Sequence, residues 1–240
     1  MYKMVVSDFD GTLIDEYEAI SLSTMLEIDK VRKDKVLFVI VTERCLSDIL
    51  YYNRDFSFID YIVACGGAIV YDVKRENVIF KKSISKSAIT KVLKSVKNEI
   101  FGLRKDRKFI LHDLEDIQDI YKLEVVCKNL EEAVSIKEKL LEIKNITCYV
   151  EITNDAFYVG VTSLDINKLS GVMKICTKKK INLDEVAAIG DGEGDIELLD
   201  KVGCSGSVSN AIDKVKRVSK IKVASNEDKG VEEFLKKIFE

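Results

Sequence analysis

A chain of 240 residues with 47% apolar content is long enough for one large domain or two small ones built on a true core. Lys plus Arg number 38 and Asp plus Glu 41, a net charge of −3, which excludes a general electrostatic pull toward nucleic acid or an anionic membrane surface. No apolar run approaches the ~20 residues that span a bilayer.

Met4–Val6 is a short continuous apolar run, the pattern of a strand buried on both faces, and it ends abruptly in Asp8-Phe9-Asp10-Gly11-Thr12. The two carboxylates interrupt what would otherwise be an export signal, so a cytoplasmic protein is expected. Tyr17–Arg32 carries apolar residues near helical spacing. Val36–Val41 is a second buried strand closing on Thr42-Glu43-Arg44. Leu46–Tyr52 reads as a short helix, and Tyr61–Ala64 as a third strand ending at Gly66-Gly67. Ala68–Tyr71 and Val78–Phe80, separated by a charged turn, predict a hairpin. Strand alternating with helix argues for a parallel sheet with crossover helices.

Near Ser83 the pattern changes. Ser85–Ile100 reads as a helix, Phe109–Leu111 and Tyr121–Cys127 as strands, and Leu130–Leu141 as a helix with Asn129 and Glu132 forming a capping box. Ile146–Ile152 and Phe157–Val161 read as strands. These strands alternate polar with apolar residues, which suits an open-faced antiparallel sheet covered on one side by two helices. The expected organisation is therefore an α/β core, residues 1–82 and 161–240, with an inserted α+β domain over 83–160. From Leu164 the first style returns: a helix over Ile166–Cys176, a buried strand over Val186–Ile189, the loop Gly190-Asp191-Gly192-Glu193-Gly194-Asp195, and a helix from Ile196. Cys204–Val208 and Ile221–Val223 are short strands, and Val231–Ile238 is a closing helix.

The six cysteines, Cys45, Cys65, Cys127, Cys148, Cys176 and Cys204, form no Cys-x-x-Cys pair and sit mostly in apolar runs. Buried free thiols in a reducing cytosol are expected, not disulfides or a zinc site. The single histidine, His112, lies far in sequence from every polar strand end and reads as a surface or packing residue. Lys178-Lys179-Lys180 reads as a solvated helix end. The glycine-rich loop at 190–194 lacks the full dinucleotide fingerprint and the early βαβ position.

Polar residues thus stand at the ends of buried strands or at a helix start: Asp8 with Asp10, Thr42, Lys168, and Asp191 with Asp195. In a parallel sheet such strand ends converge on one edge, where open α/β folds place ligands. Several acidic oxygens together suit a hard cation such as Mg²⁺. A hydroxyl and an ammonium beside them suit phosphoryl oxygens.

Asp8-Phe9-Asp10-Gly11-Thr12, Thr42, Lys168 and Gly190-Asp191-x-x-x-Asp195 resemble the four ordered motifs of the haloacid dehalogenase superfamily. The insertion between the third strand and the lysine resembles its Cof-like sugar-phosphatase branch, which carries a C2B-type cap on a Rossmann-like core. Ser209-Asn210-Ala211 and Ser225–Val231 resemble the family's C-terminal segments. The resemblance implies a Mg²⁺-dependent phosphatase acting on a small phosphorylated metabolite, a sugar phosphate or short phospho-acid, as a monomer or homodimer. Asp8 would be the nucleophile and Asp10 the general acid and base. Thr42 and Lys168 would hold phosphoryl oxygens, with Arg44 and Gly67 at the substrate, though Arg44 reads equally as one half of a surface ion pair. Asp8, the Asp10 carbonyl, Asp191 and Asp195 would meet the metal; a helix-dipole role for Asp195 is compatible with this. The sequence departs from the family's usual pattern at Glu43 (glycine), Gly66 and Gly194 (asparagine) and Leu169 (glycine). Two alternatives stay open: a phosphosugar phosphotransferase or mutase using the same aspartyl-phosphate, and, suggested by Glu43 and Gly66, a phosphate-binding protein with little turnover.

Overall fold

In a computed structural model, residues 2–52, 57–111, 117–153 and 156–240 are described; His112 lies outside them. The first part of the chain forms β1 (Met4–Asp8), α1 (Leu22–Lys33), β2 (Leu37–Val41), α2 (Leu46–Tyr52), β3 (Tyr61–Ala64), β4 (Ile69–Asp72) and β5 (Asn77–Lys81). The middle holds α3 (Lys86–Ser95), β6 (Ile100–Leu103), β7 (Lys108–Ile110), β8 (Lys122–Cys127), α4 (Leu130–Leu140), β9 (Ile146–Ile152) and β10 (Phe157–Ser163). The last part holds α5 (Lys168–Lys179), β11 (Val186–Gly190), α6 (Ile196–Lys201), β12 (Cys204–Ser207), α7 (Asp213–Val218), β13 (Ile221–Lys222) and α8 (Gly230–Phe239).

Two sheets organise these elements. One has eight strands in the order β13-β12-β11-β1-β2-β3-β4-β5, parallel except at the β3–β4–β5 edge. Its central strand β1 is buried throughout, as an apolar run with strands on both sides and helices above and below requires. The register sets Asp8 opposite Val41, and Ser7 opposite Ile189. Asp8, Thr42 and Asp191 therefore emerge at the same carboxyl edge.

The second sheet has five antiparallel strands in the order β7-β6-β8-β10-β9. Alternation in β8 and β9 sends Leu123, Val125, Cys148 and Val150 into a core with Ile89 and Val92 of α3 and Ala133, Ile136 and Leu140 of α4. The other faces of the same strands carry Lys122, Glu124, Tyr149 and Glu151. The alternation predicts a polar face open to water; instead Lys122, Glu124 and Tyr149 are buried, turned toward the first sheet.

Several expected boundaries shift for local reasons. The helix expected from Tyr17 begins at Leu22, because Asp15 accepts the Tyr17 and Ala19 amides in a turn and Ser21 caps the helix through the Thr24 amide. The helix expected to run to Ile100 ends at Ser95: Val96 is extended, and the Asn98 side chain donates to the Val126 carbonyl, laying Ile100–Leu103 against β8 as an unforeseen strand. At α4, Asn129 accepts the Glu132 amide, but the Glu132 carboxylate accepts from Lys128 instead of closing the box on Asn129. Helix α7 was not foreseen, and β10 extends to Ser163. All six cysteines are buried and free, as expected. Among the described residues, no helix is long and apolar enough to cross a membrane.

Candidate active site

Asp8 is the last residue of β1, and its Oδ1 accepts the Phe9 amide at 2.7 Å. Lys168 reaches it from the first turn of α5. That helix starts there because Asn167 and Ser170 cap it reciprocally, each side chain taking the other's backbone amide. Gly67, at φ +103, lets the third-strand loop lie against the same helix start; a Cβ there would collide with the Asn167 carbonyl. The Lys168 ammonium sits 2.9 Å from Asp8 Oδ1 and 2.8 Å from Asp195 Oδ1, all three side chains being buried.

Asp195 is fixed from its other oxygen, which accepts the amides of Asp191 and Gly192. Asp191, just past β11, accepts at 2.6 Å from the Thr12 hydroxyl. Asp8, Asp191 and Asp195 each offer one carboxylate oxygen, the three lying within 4.8 Å of one another. Burial and the Asp195 charge push the Asp191 carboxyl up to about 6. Burial and Asp195 also raise Asp8 well above the usual carboxylate range, against the opposing pull of Lys168. Burial alone would lower Lys168, but Asp195, Asp8 and Glu43 more than reverse that and hold it firmly protonated. Three carboxylates facing one ammonium leave the cluster short of positive charge.

Thr42 is buried at the end of β2, its hydroxyl accepting the Arg44 amide. Asp10 does not join the carboxylate cluster. Its side chain is gripped by Arg44, Nε lying 3.0 and 3.1 Å from its two oxygens and Nη2 2.6 Å from Oδ1. The same guanidinium contacts Glu18 and Tyr52 and lies over the Phe9 ring. Of the eight residues singled out from sequence, then, Asp8, Lys168, Asp191 and Asp195 meet directly. Thr42 and Gly67 lie in the adjoining loops, and Asp10 and Arg44 form a separate pair beside them.

A second polar group was missed. Lys122 Nζ, wholly buried, lies 2.9 Å from Glu124, 2.8 Å from Glu151 and 3.1 Å from Glu43, the residue after Thr42. Tyr149 donates to Glu43 at 2.5 Å, and the Val150 amide donates to Glu193 at 2.7 Å. The polar face of the second sheet thus closes onto the Asp8–Lys168 edge of the first. The available signal was the polar half of the β8 and β9 alternation, which reads equally as a solvated face.

A profile for haloacid dehalogenase-like hydrolases matches residues 5–103 and 100–235. The phosphoglycolate phosphatase of Methanopyrus kandleri is 24% identical over 250 residues, covering 100% of this chain and 98% of that protein. A Bacillus subtilis 5-amino-6-(5-phospho-D-ribitylamino)uracil phosphatase is 24% identical over 263 residues, covering 98% and 97%. Among solved structures, a haloacid dehalogenase superfamily phosphatase from Bacteroides thetaiotaomicron superposes with a TM-score of 0.87 at 20% identity, over 99% of this chain and 95% of that one. With the ordered motifs meeting at one sheet edge and the match running along nearly the whole chain, the protein belongs to the haloacid dehalogenase-like hydrolases, in their Cof-like phosphatase branch.

Proposed function

We propose that the protein hydrolyses the phosphate monoester of a small metabolite through a phospho-enzyme formed on Asp8, with Mg²⁺ as its cation. The observation that carries this reading is the buried meeting of Asp8, Lys168, Asp191 and Asp195, residues far apart in sequence. The oxygen-only donor set and its shortage of positive charge fit a hard divalent ion, held by Asp8, the Asp10 carbonyl, Asp191 and Asp195. When bound, that ion offsets the repulsion between the carboxylate nucleophile and the phosphate dianion.

The chain's own residues supply the remainder. The Asp8 carboxylate attacks phosphorus, and the ester P–O bond breaks as Asp10 gives a proton to the leaving alkoxide. Water then attacks the acyl phosphate and passes a proton to Asp10; inorganic phosphate leaves and the Asp8 carboxylate is restored. Lys168 and Thr42 hold phosphoryl oxygens, Gly67 brings backbone close to them, and Arg44 fixes Asp10. Residues 83–160 act as a cap over the core formed by 1–82 and 161–240. The Glu43–Tyr149 and Glu193–Val150 contacts support that division, and closure would exclude water. The relatives' names, which point to phosphoglycolate and a phosphoribityl compound, support a small phosphorylated metabolite. Six unpaired thiols support a cytoplasmic place of work.

Phosphate release from p-nitrophenyl phosphate and a metabolite panel, with Mg²⁺ or with EDTA, tests this. Activity that needs Mg²⁺ and falls at least ~10³-fold in a folded Asp8→Asn variant is expected. No release from any ester, or an Asp8→Asn enzyme with full activity, would overturn it.

A further inference from the structure

Glu43 follows Thr42 and stands between the two buried lysines. Its Oε2 accepts from Tyr149 and lies 3.1 Å from Lys122, while its Oε1 lies 3.8 Å from Lys168, beyond hydrogen-bond reach. That oxygen is shielded from solvent and has no hydrogen-bond partner. Two glycines make room for it: a Cβ on Gly66 would stand 2.6 Å from Glu43 Oε2, and one on Gly194 2.8 Å from Oε1. These are three of the four positions at which the sequence departs from its family's pattern, and Glu43, Gly66 and Gly194 form one coordinated arrangement.

Among the described residues, the donors beside it are largely committed elsewhere. The Lys122 ammonium has three protons and faces Glu124, Glu151 and Glu43. The Tyr149 hydroxyl is given to Glu43. Lys168 faces Asp8 and Asp195, and its third proton is the one left for a phosphoryl oxygen. What remains open is the free oxygen of Glu43 and, on the second sheet, Glu151 Oε1, also buried and without a partner. Burial pushes the Glu151 carboxyl up to about 8, against the opposing pull of Lys122 and with the help of the Glu43 and Glu124 charges.

We infer that Glu43 is a specificity-determining residue, selecting phosphate esters whose leaving alcohol carries hydroxyl or ammonium donors and rejecting those bearing a carboxylate or a second phosphate. This rests on the phosphatase reading above, which puts the phosphoryl group at Asp8 and Lys168 and so brings the leaving alcohol toward Glu43. A donor-rich group satisfies a buried acceptor that is otherwise unpaired. An anion meets a fixed carboxylate, and among the described residues the Lys122 ammonium beside it is already shared by three carboxylates, a repulsive element of the kind that specific sites use.

Matched esters test it: sorbitol 6-phosphate against 6-phosphogluconate, and glycerol 3-phosphate against 3-phosphoglycerate, with p-nitrophenyl phosphate as the reference. In each pair the donor-rich ester should win in kcat/KM by at least about tenfold. Glu43→Gln keeps the side-chain volume and the oxygen that Tyr149 needs, and should bring the ratio to about threefold or below. A wild-type ratio near one or inverted overturns the inference and needs no variant. So does a folded Glu43→Gln enzyme with an unchanged ratio, or turnover of the aryl ester with neither donor-rich ester accepted. Failure on every ester, the aryl one included, overturns the proposed function itself and this inference with it.

Discussion

Asp191→Asn should make the metal-free protein more stable at neutral pH. Asparagine matches the shape of the side chain and keeps the oxygen that accepts from Thr12. What it removes is a charge that the fold tolerates poorly: burial and the neighbouring Asp195 put the Asp191 carboxyl at about 6. Against an unfolded value of ~3.9 the shift is about two units, roughly 3 kcal/mol at ~1.4 kcal/mol per unit. Because the folded state binds this proton more tightly than the unfolded chain does, the ionised group destabilises the fold above about pH 6. The penalty fades as pH falls from 6 toward 4 and is gone below that. In EDTA at pH 7.5 the variant should therefore exceed the parent by up to about 3 kcal/mol, some 6–12 °C in Tm for a chain of this size. The gap should close by about pH 4. Saturating Mg²⁺ should narrow or reverse it, since a cation at 100 times its Kd adds about 2.7 kcal/mol to the state that binds it. Urea unfolding followed by circular dichroism, from pH 4 to 8 with EDTA or MgCl₂, reads all of this. A variant less stable than its parent in EDTA at pH 7.5, or a gap that ignores pH, would refute the electrostatic account. A gap that ignores Mg²⁺ would refute the assignment of Asp191 to the metal.

Lys168→Met leaves Asp8 and Asp195 buried without their ammonium, and breaking such a group costs about 3–5 kcal/mol; Tm in EDTA should fall accordingly, with part of the loss recovered in Mg²⁺, and phosphate release should drop to background. Arg44→Ala frees Asp10 from a guanidinium that touches both its oxygens; kcat should fall roughly 10–100-fold, short of the ~10²–10⁴-fold that an acid–base group supplies outright, and the pH–rate profile should change shape, whereas a purely structural role would leave that shape intact. Gly194→Ala should cost about 1–2 kcal/mol in urea unfolding and nearly nothing once Glu43 is also alanine, because its added methyl meets the Glu43 carboxylate first; equal losses in both backgrounds would show that the two positions are not coupled.

Most of the first sheet was legible because its strands are buried on both faces. Met4–Val6, Val36–Val41, Tyr61–Ala64 and Val186–Ile189 are unbroken apolar runs, and each is a strand within a residue or two. The second sheet was legible in kind but not in detail. Ile100–Leu103 has too few residues to show a period, and the helical spacing before it carried the reading of Ser85–Ile100 too far. What stops α3 is a side-chain hydrogen bond from Asn98 to a strand nearly thirty positions away, which no local pattern contains.

At the site, the residues that could be found were those whose chemistry is conspicuous at a strand end. Asp8, Lys168, Asp191 and Asp195 are charged groups where burial is expected, so each demanded a partner, and the structure shows the partners to be one another. Glu43 also stood out, but only as a misplaced acid. Its meaning depends on Lys122 and Tyr149, which lie in half-polar strands where a charge reads as solvated. It depends equally on Gly66 and Gly194, whose only contribution is the absence of a side chain. An absent methyl group has no signature in a single sequence; it becomes informative once the carboxylate that fills the space is located. Glu43, Gly66 and Gly194, read one at a time, look like erosion of an active site. Together they fit one another: a side chain at Gly66 or Gly194 would collide with the Glu43 carboxylate. On the proposed function, such an arrangement bears on which ester is accepted and leaves in place the Asp8 carboxylate proposed to attack it.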